Sequence, residues 1–274
     1  MICIDFEYAE HKLSDFDCVI CNINNTSECS TDNTLTYNTL TSRNNKFDLL
    51  YSEYEEPLKF TMEIAKNPCN SYKNKFFTHA EVDKLKTWLI RRDFLKFSPI
   101  YDEVEDFPHI YCRGSFNVKP IPIGGKIVGL ELNFTSNAPY AYYEPLTYSF
   151  NEPNADGQFT IYSMSDEIGQ VYVNAEIECL ADGDLKIFNS RLDEKVTVIN
   201  NCKAGEIITL NGKVKIIDSS LKETSHKTLY NDFNYSFPVI AREYAEDKTQ
   251  NVFTVTLPCK IKMTYSPICK LGVI

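Results

Sequence analysis

The chain has 274 residues, 43% of them hydrophobic and 13% aromatic, which excludes a disordered protein and suffices for one large β domain or two of ordinary size. Its formal net charge of −10 and pI near 5.0 argue against a grip on phosphate backbones, which needs clustered Lys and Arg. No run approaches the ~18 apolar residues of a membrane span.

The start, MICIDFEYAEHK, lacks the basic and apolar regions of an export signal, so folding in a cytoplasm with reduced thiols is expected. Tyr and Phe number 17 each against a single Trp, and with recurrent Thr, Val and Ile they favour strands. Ten cysteines occur mostly singly. Cys18-Val-Ile-Cys21 has a metal-knuckle spacing without a second pair, although Cys29 and His11 stand nearby. Cys179 extends the alternation Val171, Val173, Ala175, Ile177, as a buried free thiol does.

Residues 22–46 are rich in Asn, Thr and Ser, which reads as a mobile loop or an extended hairpin standing away from the core. Strand-like text runs from Phe47 to Lys66, with Leu58, Phe60, Met62 and Ile64 alternating, until Asn67-Pro68 stops it. A helix is expected at about 78–92. Thr78 and Glu81 form a capping box, and Val82, Leu85, Trp88 and Leu89 share one face. Asp83, Lys84, Lys86 and Arg91 make the other, solvated face.

Strands resume at Phe94, Ile110–Val118 and Lys126–Phe134, with Pro120–Gly125 read as the hairpin connection between the last two. Texture changes around Ser136–Gly157, where three prolines and four tyrosines occur, and the domain junction is placed there, giving domains 1–143 and 144–274. Beyond it come short strands, Gln170–Leu180, Asp184–Asn189, Val196–Asn200, Ile207–Leu210 and Val214–Ile217, with turns at Asp182-Gly183 and Asn211-Gly212. That pattern describes a sandwich or jelly roll.

No catalytic constellation emerges. His11, His79, His109 and His226 are scattered, and no Walker loop, G-x-S-x-G elbow or G-x-G-x-x-G is present. Asp102, Glu103, Glu105 and Asp106 lack the alternation of a calcium loop and read as a solvated cluster. Asn154-Ala-Asp156-Gly reads as a β-turn. Neither enzyme, cofactor nor metal is expected. Carbohydrate binding is the competing function, and Tyr230, Phe233, Tyr235 and Phe237 are its candidate platform, though their spacing fits strand packing and the second half has no Trp.

The order of parts carries a resemblance. The block FTHAEVDKLKTWLIRRDFLKF is followed by a strand ending in an aromatic and N-A-P-Y-A-Y (Phe134–Tyr142), then by F-N-Y-x-F-P at Phe233–Pro238, Asn251, P-C-K-I and K-x-G at Lys270–Gly272. Together these resemble the distal tail protein (Dit) family of long-tailed phages and prophages. Cys269 stands where members often carry a basic residue, so no role of that residue transfers. The resemblance implies a mainly β chain: a β-sandwich-like ring domain with one helix, then a galectin-like β-sandwich. It further implies a virion structural protein at the tail tip, made in the bacterial host, forming a commonly hexameric ring around the DNA channel. The ring would contact the tail tube protein and the tail-tip hub, with a receptor-binding protein on the outward domain in some members, no stable nucleic-acid binding and no membrane insertion. On that reading residues 22–46 become a candidate arm across a neighbouring subunit, with Thr34, Leu35, Tyr37, Leu40 and Arg43 along it.

Overall fold

The computed structural model describes residues 3–23, 35–40, 48–54, 56–69, 75–101, 109–152, 154–192, 195–243 and 248–270, with backbone alone for 35–40 and 48–54. Two units divide the chain, Met1–Tyr143 with Cys269–Ile274, and Glu144–Ile268.

The first unit opens with β1 (Cys3–Tyr8), the two-residue β2 (His11–Lys12), a 3-10 turn at Leu13–Phe16 and β3 (Cys18–Cys21). Next come β4 (Leu35–Leu40), β5 (Asp48–Tyr54) and β6 (Lys59–Lys66). Helix α1 (His79–Leu89) leads into β7 (Leu95–Tyr101), the long β8 (Ile110–Ile123) and β9 (Lys126–Ser136), and the short β10 (Ala141–Tyr143). One sheet takes most of these strands in the order β2-β1-β7-β8-β9-β6-β3, while β4 and β5, among the described strands, pair only with each other.

Three sequence expectations change here. The run from Phe47 to Lys66 is two strands, not one, because Pro57 separates the free-standing β5 from the sheet strand β6. Pro120–Gly125 is not all connection: both prolines lie inside β8, and Gly124-Gly125 alone turns the chain, each with the positive φ such a tight turn requires. The helix stops at Leu89 rather than 92. Ile90 donates its N–H to Lys86 O but already has extended dihedrals (φ −83, ψ 101), which start the chain toward β7.

The second unit is a sandwich of short strands. In chain order these are β11 (Leu146–Glu152), β12 (Gly157–Ser163), β13 (Gly169–Tyr172), β14 (Asn174–Cys179), β15 (Gly183–Asn189) and β16 (Thr197–Cys202). They continue as β17 (Ile207–Asn211), β18 (Ile216–Ser219), the one-turn α2 (Leu229–Asp232), β19 (Val239–Arg242), β20 (Thr249–Val255) and β21 (Cys259–Tyr265). One sheet runs β11-β21-β14-β17-β18, the other β12-β20-β15-β16, and β13 pairs with β19. Alternate residues point inward, so Phe159, Ile161, Ile177, Leu185, Ile187, Phe253 and Ile261 meet in one core.

The expected strand Gln170–Leu180 breaks at Val173, whose N–H goes to Pro238 O, and its two halves join different sheets. The last short strand, β22 (Ile268–Cys269), ends the expected extent of the second domain early. Cys269 belongs to the first unit, buried in the same core as Cys112.

Candidate assembly surface

Helix α1 is fixed at its start by local chemistry. The Glu81 N–H donates to Thr78 Oγ1 at 3.3 Å, and the Thr78 N–H donates to Glu81 Oε2 at 2.8 Å, a reciprocal cap. Lys66 on β6 reaches Glu81 Oε1 at 2.7 Å and ties the cap to the sheet. Burial opposes ionisation of Glu81, but the donors from Lys66 and Thr78 outweigh it and hold its pKa below the ordinary carboxylate value.

Val82, Leu85, Trp88 and Leu89 are all buried. Trp88 is the pivot. Its ring stacks on Phe16 at 4.3 Å and on Phe6 at 5.7 Å, and its indole N–H donates to Tyr8 O at 2.7 Å. Tyr8 in turn donates its hydroxyl to Gly114 O at 3.2 Å. A Cβ at Gly114 would run into the Phe134 ring and Thr135 O, so glycine is what lets the aromatic layer close on β8.

Of the candidate arm residues, Leu35, Tyr37 and Leu40 lie on β4, where Leu35 is registered with Tyr54 and Tyr37 with Ser52. Thr34 and Arg43 lie outside the described residues. Both limbs that lead to this hairpin are seated on β6 and β9. On the outgoing side the Ile23 N–H donates to Glu63 Oε2 at 2.5 Å. On the returning side Leu58 is buried, donates its N–H to Ser136 Oγ at 2.8 Å and accepts Ser136 N–H at 2.9 Å.

The second unit concentrates buried polar groups instead. His226 Nδ1 lies 2.7 Å from Glu206 Oε1 and Nε2 lies 3.5 Å from Asp232 Oδ2, with Glu206 also taking the Ser219 hydroxyl. Ser219 faces the carboxylate rather than the imidazole, and Ser219, Glu206 and His226 are all buried, so this serine is not set up as a nucleophile that hands its proton to the imidazole. Asn251 holds β19 by donating to Ala241 O at 3.0 Å and accepting Ala241 N–H at 2.8 Å. His226 and Asp232 stand six residues apart and the other partners 10 to 20 apart, outside any motif the sequence reading sought, and it missed them.

Cys179, Cys202 and Cys259 are buried free thiols of this core. Burial pushes Cys259 up to about 12, and Glu152 and Cys202 add to it, which makes it an inert apolar filler rather than a nucleophile. Cys18 and Cys21 are likewise raised, to about 12 and about 11, chiefly by burial. Among the described residues no three His, Cys, Asp or Glu side chains gather to hold a metal ion. Cys29 and the 102–106 carboxylates lie outside the described residues, and Asn154–Gly157 is a turn with Asp156 at φ 60.

A glycan platform is not assembled from the expected aromatics. Phe233 and Phe237 are buried, leaving Tyr230 and Tyr235 exposed. The surface of β11, β21 and β14 presents Ser149, Asn151, Glu176, Glu178, Lys260 and Lys262, with Lys260 paired to Glu178 at 3.0 Å.

A nine-stranded sheet closed over an aromatic pivot, followed by a short-stranded sandwich, is the frame within which known proteins compare. Residues 1–138 match the model of a phage tail protein N-terminal domain, and residues 140–265 that of a phage tail C-terminal domain. The chain belongs to this family of phage tail proteins. Among solved structures it is similar to the SPP1 Dit (gp 19.1) protein, titled a paradigm of the hub adsorption apparatus in phages that infect Gram-positive hosts. The two are 8% identical with a TM-score of 0.65 over 97% of this chain and 99% of that one, a likeness of fold. No curated protein matches in sequence.

Proposed function

We propose that this tail protein is the tail-tip adaptor, a ring, commonly six-membered in the family it resembles, that joins the tail tube to the tail-tip hub and surrounds the DNA channel. The observation that carries the reading is the β4–β5 ribbon, which pairs with no other described strand of its own chain. A lone two-stranded ribbon is marginal in water and needs a surface to lie on. A second copy of the first unit supplies that surface, and the strand carrying Leu35, Tyr37 and Leu40 is the arm that crosses to it. The net charge of −10 suits a channel that must let phosphates pass without holding them.

Light scattering after gel filtration, with negative-stain images of the peak, tests this. A ring-sized particle with a central hole is expected, and deletion of residues 30–44 reduces it to smaller species while the folded core survives. A 31.5 kDa monomer at every concentration counts against the ring. A saturable signal on a glycan array from that monomer would revive the sugar-binding alternative.

A further inference from the structure

Leaving Tyr, Trp and Cys aside, the buried polar side chains among the described residues of the first unit are two, Glu63 at 1% and Ser136 at 2% exposure. Each holds one limb of the excursion that contains β4 and β5. Glu63 takes the N–H of Ile23, where the chain leaves β3. The Ile23 side chain then lies over β9 at Gly129, where a Cβ would collide with Ile23 Cδ1 and stand 2.8 Å from Ile64 O. Ser136 takes the N–H of Leu58, where the chain re-enters β6, and donates its own hydroxyl to Ala138 O.

The spacing of these contacts matters. Ala65 is registered with Gly129 and Lys59 with Thr135, so the two attachments sit at opposite ends of the β6–β9 pair. At ~3.3 Å per residue they stand roughly 20 Å apart. A hairpin on a narrow neck swings, whereas one carried on two separated supports has a fixed direction. Glu63 also faces Glu131 directly across the pair, and Glu131 has Lys119 at 3.6 Å and Asn133 at 3.0 Å. A well-packed apolar residue would serve stability as well as a buried carboxylate does, and the best-attested use of such a group is to fix register.

We infer that Glu63, Gly129 and Ser136 form a two-point mount that aims the β4–β5 hairpin at a second copy of this chain. Its aim rests on the assembly reading above, whereas the mount itself is judged separately. Glu63 is therefore a positioning residue for self-association.

The test compares the full chain with Glu63→Leu, Glu63→Gln and Ser136→Ala, by backbone amide exchange and by light scattering. In the wild type the Ile23 amide is protected. Glu63→Leu loses that protection and the large particle together, with the far-UV spectrum unchanged. Glu63→Gln keeps both, because its amide oxygen still accepts the N–H. Ser136→Ala lowers protection at Leu58, whose N–H keeps only a long 3.4 Å bond to Ala138 O, and shrinks the particle, which keeps the inference testable if Glu63→Leu does not fold. Unprotected Ile23 in the wild type, or no change in Glu63→Leu, overturns the mount. Ring-sized particles from a Glu63→Leu chain with Ile23 released overturn the aim. A wild type that never assembles overturns the assembly reading and the aim with it, while the exchange data still decide whether the mount exists.

Discussion

The two units bury polar groups for opposite purposes. Among the described residues the second unit sequesters nine, including Glu206, His226, Asn189 and Asn251, and spends them on its own interior, tying loop to sheet and β19 to β20. Among the described residues, and leaving Tyr, Trp and Cys aside, the first sequesters Glu63 and Ser136, both where a segment departs from the sheet and returns. Its core is held by rings instead, with Phe6, Tyr8 and Phe16 against Trp88, and Phe97 and Phe116 packed on Phe6, Tyr8 and each other. A body that stabilises itself with aromatic packing can keep its directional bonds for presenting something outward. One that ties its own short strands together needs those bonds inside.

The contrast can be broken first at Trp88. Replacing it with Ala removes the stacked ring and leaves Tyr8 O without its donor, and about 3–5 kcal/mol of first-unit stability should go. Denaturant unfolding measures it, and a loss below ~1 kcal/mol would mean that the aromatic layer has no pivot. In the second unit His226→Ala takes one partner from the buried Glu206 carboxyl, which keeps the Ser219 hydroxyl and the Lys203 N–H, for an expected cost of about 2 kcal/mol. If Glu206→Gln with His226→Ala restores most of that loss, the penalty came from the carboxyl oxygen left without its His226 partner. Full loss in the double variant would point to packing.

Smaller effects sharpen the picture. Thr78→Ala removes the cap of α1 and should cost about 1 kcal/mol, read as a lowered Tm with unchanged assembly. The weakest signal is the pH dependence. Glu81 has its folded pKa depressed, as does Asp232, where the Thr228 hydroxyl leads and Asn201 and His226 assist. A depressed carboxylate contributes stability in full above its unfolded pKa of about 4 and loses it as pH falls through the lower folded value. Melting curves should therefore hold between pH 7 and 5 and decline below 4. Glu81→Gln should flatten the first unit's share of that decline, and an unchanged acid limb would refute the assignment.

Local chemistry was readable in advance. The cap of α1 needs only Thr78 and Glu81 three residues apart, and its apolar face repeats at helical spacing, so both stand out without a partner in view. Alternation likewise marked the strands and the mainly β class. What stayed hidden depends on contacts between distant residues. Glu63 alternates with Met62 and Ile64 as an outward residue, yet it is buried and takes the N–H of Ile23, forty residues earlier in the chain. Prolines 120 and 122 look like a turn, yet β8 carries them through the sheet. His226 looks isolated because Glu206 reaches it only after β17, β18 and the following turns fold back, and Asp232 only once α2 turns the chain.

The strand order of the second unit also sets a timetable. β11 pairs with β21 and β12 with β20, so the opening strands wait for partners made about a hundred residues later. Such long-range closure is slow to find, and until it is found the inner faces of the opening strands have nothing to cover them. During synthesis the ribosome must therefore release residues as far as Tyr265 before this sandwich can shut. A nascent chain halted earlier, even with every intervening strand complete, would expose an unmatched edge to its neighbours on the same messenger.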